Sequence, residues 1–232
     1  NIKTLRSSSK PVKTLEVGYG SFNSRKLVSS VNDSYEGFKY QISAEYLASD
    51  NDFEMVNDNQ TPDYSGDDRV ENRQNSDFEQ FSTLLATEYQ FDDSLSLQFI
   101  GQINKKNQGL PELQNNPLTR SDLETEFVNM QFKLNHWVNQ NTTLAYKFFT
   151  SHKNDFFDDS QNRIGLNINR EEGITKTYGA GGHASYGFES HLFNINLESK
   201  FEEYQNNNLH LDTTSSYERT TTTLGVQDDW MN

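Results

Sequence analysis

The chain has no cysteine among its 232 residues. That removes disulfides, thiolate metal sites and cysteine nucleophiles together. It is also poor in apolar residues, at 32%, with a mean hydropathy of -0.89. No apolar run approaches the roughly 18 residues of a membrane-spanning helix. Positive charge is scarce: 20 Lys and Arg face 34 Asp and Glu, a net charge of -14. Non-specific nucleic-acid binding needs clustered Lys and Arg, so nucleic acid is excluded as a partner class. The nucleotide-binding and hydrolase signatures, Walker A, GxGxxG and GxSxG, are missing. The five histidines are scattered, without an HExxH or an i, i+4 pair. Carboxylate pairs can be drawn anywhere in so acidic a chain and carry no weight, so no catalytic residue is assigned and an enzyme is not expected.

Aromatic residues are plentiful, at 12%. Disordered chains are poor in them, while few aliphatics argues against a conventional buried core. The pattern explains both. From Phe81 the odd positions read Phe81, Thr83, Leu85, Thr87, Tyr89, Phe91, and the even ones Ser82, Leu84, Ala86, Glu88, Gln90. A strand sends alternate side chains to opposite faces, so this is a strand with one apolar and one polar face. After Asp92-Asp93-Ser94 it restarts, with Leu95, Leu97, Phe99 and Ile103 against Ser96, Gln98, Gln102 and Asn104; Ile100 intrudes. The same alternation predicts strands at Val12–Gly20, Arg25–Val31, Phe38–Tyr46, Phe127–Trp137, Leu144–Phe148, Tyr178–Phe188, Phe193–Phe201 and Tyr217–Val226. Long polar loops are expected at 49–77, 105–124, 152–173 and 204–214, and short turns at 32–37, 92–94, 138–141 and 189–190.

About ten antiparallel strands in meander order, with every second connection lengthened, is the signature of an outer-membrane barrel. The expectation is all-β: an up-and-down meander making a partial transmembrane β-barrel, an open curved sheet with long extracellular loops. Phe81, Leu85, Tyr89, Leu97, Phe99, Met130, Phe132, Leu134, Tyr146, Phe148, Ile195 and Leu197 are expected on its convex, lipid-facing side. Gln98, Gln102, Asn129, Gln131, Lys133, Asn194, Asn196 and Lys200 are expected on the concave side. Aromatics beside the short turns (Phe91, Trp137, Phe188) suggest a periplasmic-side girdle. The glycines at 179, 181 and 182 sit inside a strand and suit close packing. The alternative is a soluble or surface-anchored β-sheet module with acidic ligand- or calcium-binding loops.

The order of VKTLEVGYGSFNSRKLVSSV, a short turn and GFKYQISAEYLASDNDF resembles the start of the barrel in TonB-dependent outer-membrane receptors. NIKT at residues 1–4 is similar to the last strand of their plug domain. The loop VNDNQTPDYSGDDRVENRQNSDF is similar to loops of the cobalamin- and siderophore-type members. The resemblance implies that residues 1–11 end a plug or linker and 12–232 form the N-terminal portion of the barrel. It implies residence in the outer membrane of a Gram-negative bacterium, with lipid and a small ligand such as a metal chelate as partners. Family members have a plug and about twenty-two strands. This chain shows no plug, about ten strands, and Asp229-Trp230-Met231-Asn232 at its end, so it is expected to be the first part of a barrel, meeting TonB only through a plug outside this sequence.

The densest oxygen-rich stretch lies in the first long loop. Asp50, Asp52, Asn57, Asp58, Asp63, Asp67 and Asp68 are its candidate ligand-binding residues. Hard cations take six to eight oxygens, and some receptors of the resembled family order such loops with calcium. Asp63, Asp67 and Asp68 are accordingly the candidate calcium ligands, although no EF-hand spacing is present. No other cofactor is expected.

Overall fold

The computed structural model describes residues 11–230, except 60, 62, 113–114, 116–119 and 165–166. Of residues 1–11, to which the plug or linker assignment applies, 1–10 lie outside the described residues. Among the described residues ten strands make one antiparallel sheet, in which every strand pairs with the next one along the chain that belongs to it. They are β1 (Val12–Gly20), β2 (Ser24–Tyr35), β3 (Phe38–Ser49), β6 (Phe78–Gln90), β7 (Leu95–Gly109), β8 (Asp122–Asn139), β9 (Thr142–Asp159), β10 (Asn169–Phe188), β11 (His191–Asn208) and β12 (Thr213–Trp230). Between β3 and β6, the strands β4 (Glu54–Asn57) and β5 (Arg69–Asn72) pair only with each other. Among the described residues β1 and β12 make no contact, so the curved sheet is open at both edges. Among the described residues no helix is long and apolar enough to cross a membrane, which says nothing of strands.

Register fixes the faces. Across six strands Thr87, Phe99, Phe132, Phe148, Ala180 and Ser199 are successive partners, and partners directly opposite share a face. Following such rows, all twelve residues expected toward lipid fall on one face, and the eight expected on the other side fall on the opposite one. Phe81, Met130, Phe132, Tyr146, Phe148, Ile195 and Leu197 on the apolar face are openly exposed. Monomeric soluble proteins rarely leave so continuous an apolar area uncovered; such areas mark protein or membrane contacts. The belt on β7 runs from Leu95 to Ile103, ending at Lys105. At about 3.4 Å per residue and a tilt near 40°, that stretch spans about 21 Å, close to the apolar band of a membrane barrel. One expected girdle residue departs: Trp137 falls on the polar face, next to a bulge between Trp137 and Asn139.

The strands outrun the sequence expectation at one end. β7 continues to Gly109 and β8 begins at Asp122, so the connection between them is 110–121 and not 105–124. Likewise 152–173 contracts to 160–168, and 204–214 to the turn 209–212. The first short turn contracts from 32–37 to Glu36-Gly37, both at positive φ, the backbone of a two-residue hairpin loop. The extra strand residues are polar on the side facing out, such as Glu124, Glu126, Glu172 and Glu203. A ladder needs only backbone pairing, so a strand can run on where neither face is apolar. The connections at 21–23, 50–77, 110–121, 160–168 and 209–212 lie at one end of the sheet, and those at 36–37, 91–94, 140–141 and 189–190 at the other.

Candidate functional site

The described residues of the loop 50–77 are held by specific contacts. In the β4–β5 hairpin Asn57 donates to Glu71 Oε1 at 2.6 Å. Asn115, from the next long connection, inserts beside it and is 4% exposed. Its amide nitrogen donates to Glu71 Oε1 at 2.7 Å and to the Asn72 carbonyl at 2.9 Å, and its oxygen accepts from Gln74 N at 2.6 Å. These bonds hold the Glu71 carboxyl below its ordinary pKa, the Asn115 bond contributing most and Asn57 next, because hydrogen bonds to a carboxylate favour the charged form. Asn75, in the left-handed region at φ 53 that Asn tolerates better than most residues, donates to the carbonyls of Leu110 and Ser121 at 2.8 and 2.7 Å.

The third connection joins the same assembly. Asp159, fully buried, accepts from Ser121 Oγ at 2.7 Å and from the backbone N–H groups of Arg163 and Ile164 at 2.7 and 3.0 Å. Arg120 reaches Asp77 at 2.9 Å and Asp122 at 2.7 Å, and its backbone N–H donates to Gln161 at 3.0 Å. The Asp77 carboxylate holds the Arg120 guanidinium above its ordinary pKa. Three connections thus form one cap. Glu71 belonged to the acidic stretch read from the sequence; Asn75, Asn115, Arg120, Ser121 and Asp159 did not stand out. Only the abundance of Asn in these loops hinted at left-handed corners.

The seven candidate ligand-binding residues divide. Asp50 Oδ2 accepts from Asn23 at 3.1 Å, and its N–H donates to the Phe22 carbonyl at 2.9 Å, so it ties the β1–β2 turn to the loop. Asn57 is buried and serves the Glu71 latch. Both carboxylate oxygens of Asp67 lie within hydrogen-bond distance of the Thr61 hydroxyl, at 2.9 and 3.0 Å. Asp52 is half-buried, while Asp58, Asp63 and Asp68 are exposed. Among the described residues no group of three or more His, Asp or Glu side chains converges as metal ligands. The candidate calcium trio Asp63, Asp67 and Asp68 is therefore not brought together.

The polar face changes character along the strands. Beside the belt it carries ion pairs, Lys39–Glu88 and Lys147–Glu198 both at 2.6 Å. A recess of about 390 Å³ there is floored by Ala145, Gly181 and Gly225 and rimmed by Lys133, Lys147 and His183. A Cβ at Gly179 would meet the Phe149 ring, so close packing does explain that glycine. Beyond the belt, toward the capped end, the same face carries Phe78, Phe127, Phe157, Tyr204 and Tyr217. Lys106 lies 5.7 Å over Phe78, and Tyr204 stacks on Tyr217 at 6.4 Å. Aromatic faces and a few placed charges are what a small-molecule site offers.

No protein-family model matches the sequence, and no curated protein does. Solved structures do. The siderophore receptor PiuA from Acinetobacter baumannii superposes with a TM-score of 0.62 at 11% identity, over 96% of this chain and 38% of that one. The copper transporter OprC gives 0.64 at 9% identity, over 94% and 35%. The ferric citrate transporter FecA, in its unliganded form, gives 0.58 at 9%, over 95% and 39%. The chain spans little more than a third of the length of these three structures. They are receptors and transporters, not enzymes. With ten meandering strands among the described residues, an open sheet and one apolar face, the chain has the fold of part of the barrel wall of TonB-dependent receptors.

Proposed function

We propose that residues 12–232 are the N-terminal part of the barrel of an outer-membrane receptor that takes up a scarce ligand, such as a metal chelate, a siderophore or cobalamin, with energy relayed through TonB. The observation that carries this is the coincidence of the belt with one-sided loops: the long connections all lie beyond the same edge of the apolar band. That end faces outward, and the capped loops meet the ligand before it reaches the aromatic wall at Phe78, Phe127, Tyr204 and Tyr217. Residues 1–11 connect to a plug, which contacts TonB and packs against the polar inner face, including the recess at Lys133 and Lys147. Ligand contact in the first loop falls to the exposed carboxylates Asp58, Asp63 and Asp68. Calcium would have to draw together carboxylates that the fold keeps apart.

The test uses the full-length protein. Cell fractionation should place it in the outer membrane, and a panel of ferric siderophores, cobalamin and copper chelates should contain a ligand whose uptake stops when the proton gradient is collapsed. Recovery as a soluble protein without detergent would overturn the reading. With the ligand found, titration of an Asp63→Ala, Asp68→Ala variant tests the loop. Unchanged affinity for both ligand and calcium would remove it from the site.

A further inference from the structure

The β4–β5 hairpin presents its apolar side to solvent. Alternation puts Glu54, Val56 and Asp58 beside Asp68, Val70 and Asn72 on one face, and all six are exposed. Val56 and Val70 are directly opposite each other, and remain 59% and 65% exposed. The other face, with Met55, Asn57 and Glu71, is the one turned to Arg73 and Asn115. An isolated two-stranded hairpin is marginal unless an apolar face is covered. Here the polar face is anchored and the valine pair is not. The β-propensity of valine accounts for its presence in a strand, but not for a latch that fixes the pair outward.

Charge selects the partner. Residues 50–77 hold nine carboxylates against Arg69 and Arg73, half of the chain's net negative charge. Of these two arginines, Arg73 points inward to Met55 Sδ at 3.3 Å, and Arg69 lies on the back face by register. Anionic lipid and nucleic acid are repelled by such a surface. A flat two-strand face with an apolar centre and acidic corners complements an extended chain alternating apolar and basic side chains.

We propose that the outward face of the β4–β5 hairpin, Val56 and Val70 flanked by Glu54 and Asp68, is a docking surface for a basic amphipathic polypeptide segment. This rests on the reading that places residues 50–77 outside the cell. The hairpin arrives preorganised, since Asn115 and Asn57 already hold it, so little ordering cost opposes binding. The apolar centre supplies contact area, and the acidic corners supply orientation and on-rate.

The probe is an alternating Lys–Leu decapeptide, measured against the full-length protein in detergent. Glu–Leu and Lys–Ser decapeptides and spermine are the comparison ligands. Lys–Leu should bind, weakening as salt rises. It should lose about tenfold or more in affinity with Val56→Thr plus Val70→Thr, which keep β-branching, and separately with Glu54→Gln plus Asp68→Asn. Hydrogen exchange at the Gln74 amide, unchanged in both variants, verifies the latch. Equal binding of Glu–Leu, equal binding of spermine or Lys–Ser, or affinity unmoved by either double variant would overturn the proposal. Labelling of Val56→Cys on intact cells by an impermeant maleimide tests the outward placement separately. Labelling without peptide binding ends the docking proposal alone. Absence of labelling ends the outward placement, and with it access for any external partner, even if peptide binds in detergent.

Discussion

An arginine on either side of one peptide bond should distinguish the two faces of the sheet. Phe132 lies in the middle row of the belt, between Phe99 and Phe148, and is 47% exposed. Gln131 is its neighbour in sequence but faces the polar side, opposite Ile100 and Phe149. Arginine on the lipid face costs about 2–4 kcal/mol at the midplane of a barrel. At about 1.4 kcal/mol per factor of ten, that is about a 30- to 700-fold loss in the folding equilibrium. Gln131→Arg keeps its guanidinium on the face that carries Asn129 and Lys133, where the long side chain can reach past Ile100 and Phe149 to polar groups, and should cost about 1 kcal/mol or less by the usual size of surface substitutions. Tyr89→Arg, near the belt margin, should fall between them, because the lipid-face penalty fades toward the interfaces. The assay is urea titration of the full-length protein folded into lipid vesicles, read by heat-modifiable migration, with outer-membrane yield as the cellular counterpart. Equal losses for Phe132→Arg and Gln131→Arg, or a larger one for Gln131→Arg, would refute the facing assignment and the membrane reading built on it.

Two predictions concern the cap. Glu71 has its folded pKa depressed by Asn115 and Asn57, so the latch should hold fully above the ordinary carboxylate range and be lost as pH falls through the folded value. Hydrogen exchange at residues 69–75, corrected for intrinsic rates, should show this loss, and Glu71→Gln should abolish the pH dependence; a pH-independent wild type would contradict it. At Gly109 an added Cβ would stand 2.5 Å from Asn75 Oδ1 and 2.8 Å from the Asn75 carbonyl oxygen. Gly109→Ala should therefore cost about 1–3 kcal/mol of local stability and speed proteolysis of 50–77, whereas Gly20→Ala, with its nearest atom at an ordinary 3.7 Å, should not; equal protease resistance of the two would argue against a tight Asn75 corner.

The sequence revealed the sheet where one face is apolar and lost it where neither is. Between Leu95 and Ile103 one face is apolar, and the alternation is plain apart from Ile100. That residue pairs with Ala86, itself buried, so the intruder belongs to a small apolar spot on the polar face. Between Asp122 and Glu126 neither face must be apolar, and DLETE reads as loop although it ladders fully with β7 and β9. The β4–β5 hairpin was hidden for a related reason: four-residue strands with a single valine each offer no period to count. Asn57 was legible as an oxygen donor set in acid, but its role depends on Asn115, far away in sequence. No local pattern reports a contact between two loops.

The open edges give the last prediction. A membrane barrel satisfies every backbone group only when its first and last strands pair. Here β1 and β12 each have one paired neighbour, β2 and β11 respectively. The tenth strand could in principle reach the first, but a ten-stranded barrel has a narrow interior that side chains must fill. The inner positions Gln98, Gln131, Lys133, Glu198 and Lys200 are long and polar, and Lys133 faces Lys147 across a strand pair. Closing the sheet tightly would compress like charges that a wide, watered or plugged interior separates. The edge strands also carry exposed apolar residues, Leu15 and Val17 on β1 and Leu224 and Val226 on β12, the combination that templates edge-to-edge association. Residues 1–232 expressed alone should therefore collect in inclusion bodies and, refolded into detergent, give a broad oligomer distribution without a heat-modifiable monomer band. Hydrogen exchange should find the outward amides of Leu15 and Leu224 unprotected in any monomeric fraction. A monodisperse monomer with those amides protected would mean that β1 pairs with β12, and that the polar inner face tolerates the closure argued against here.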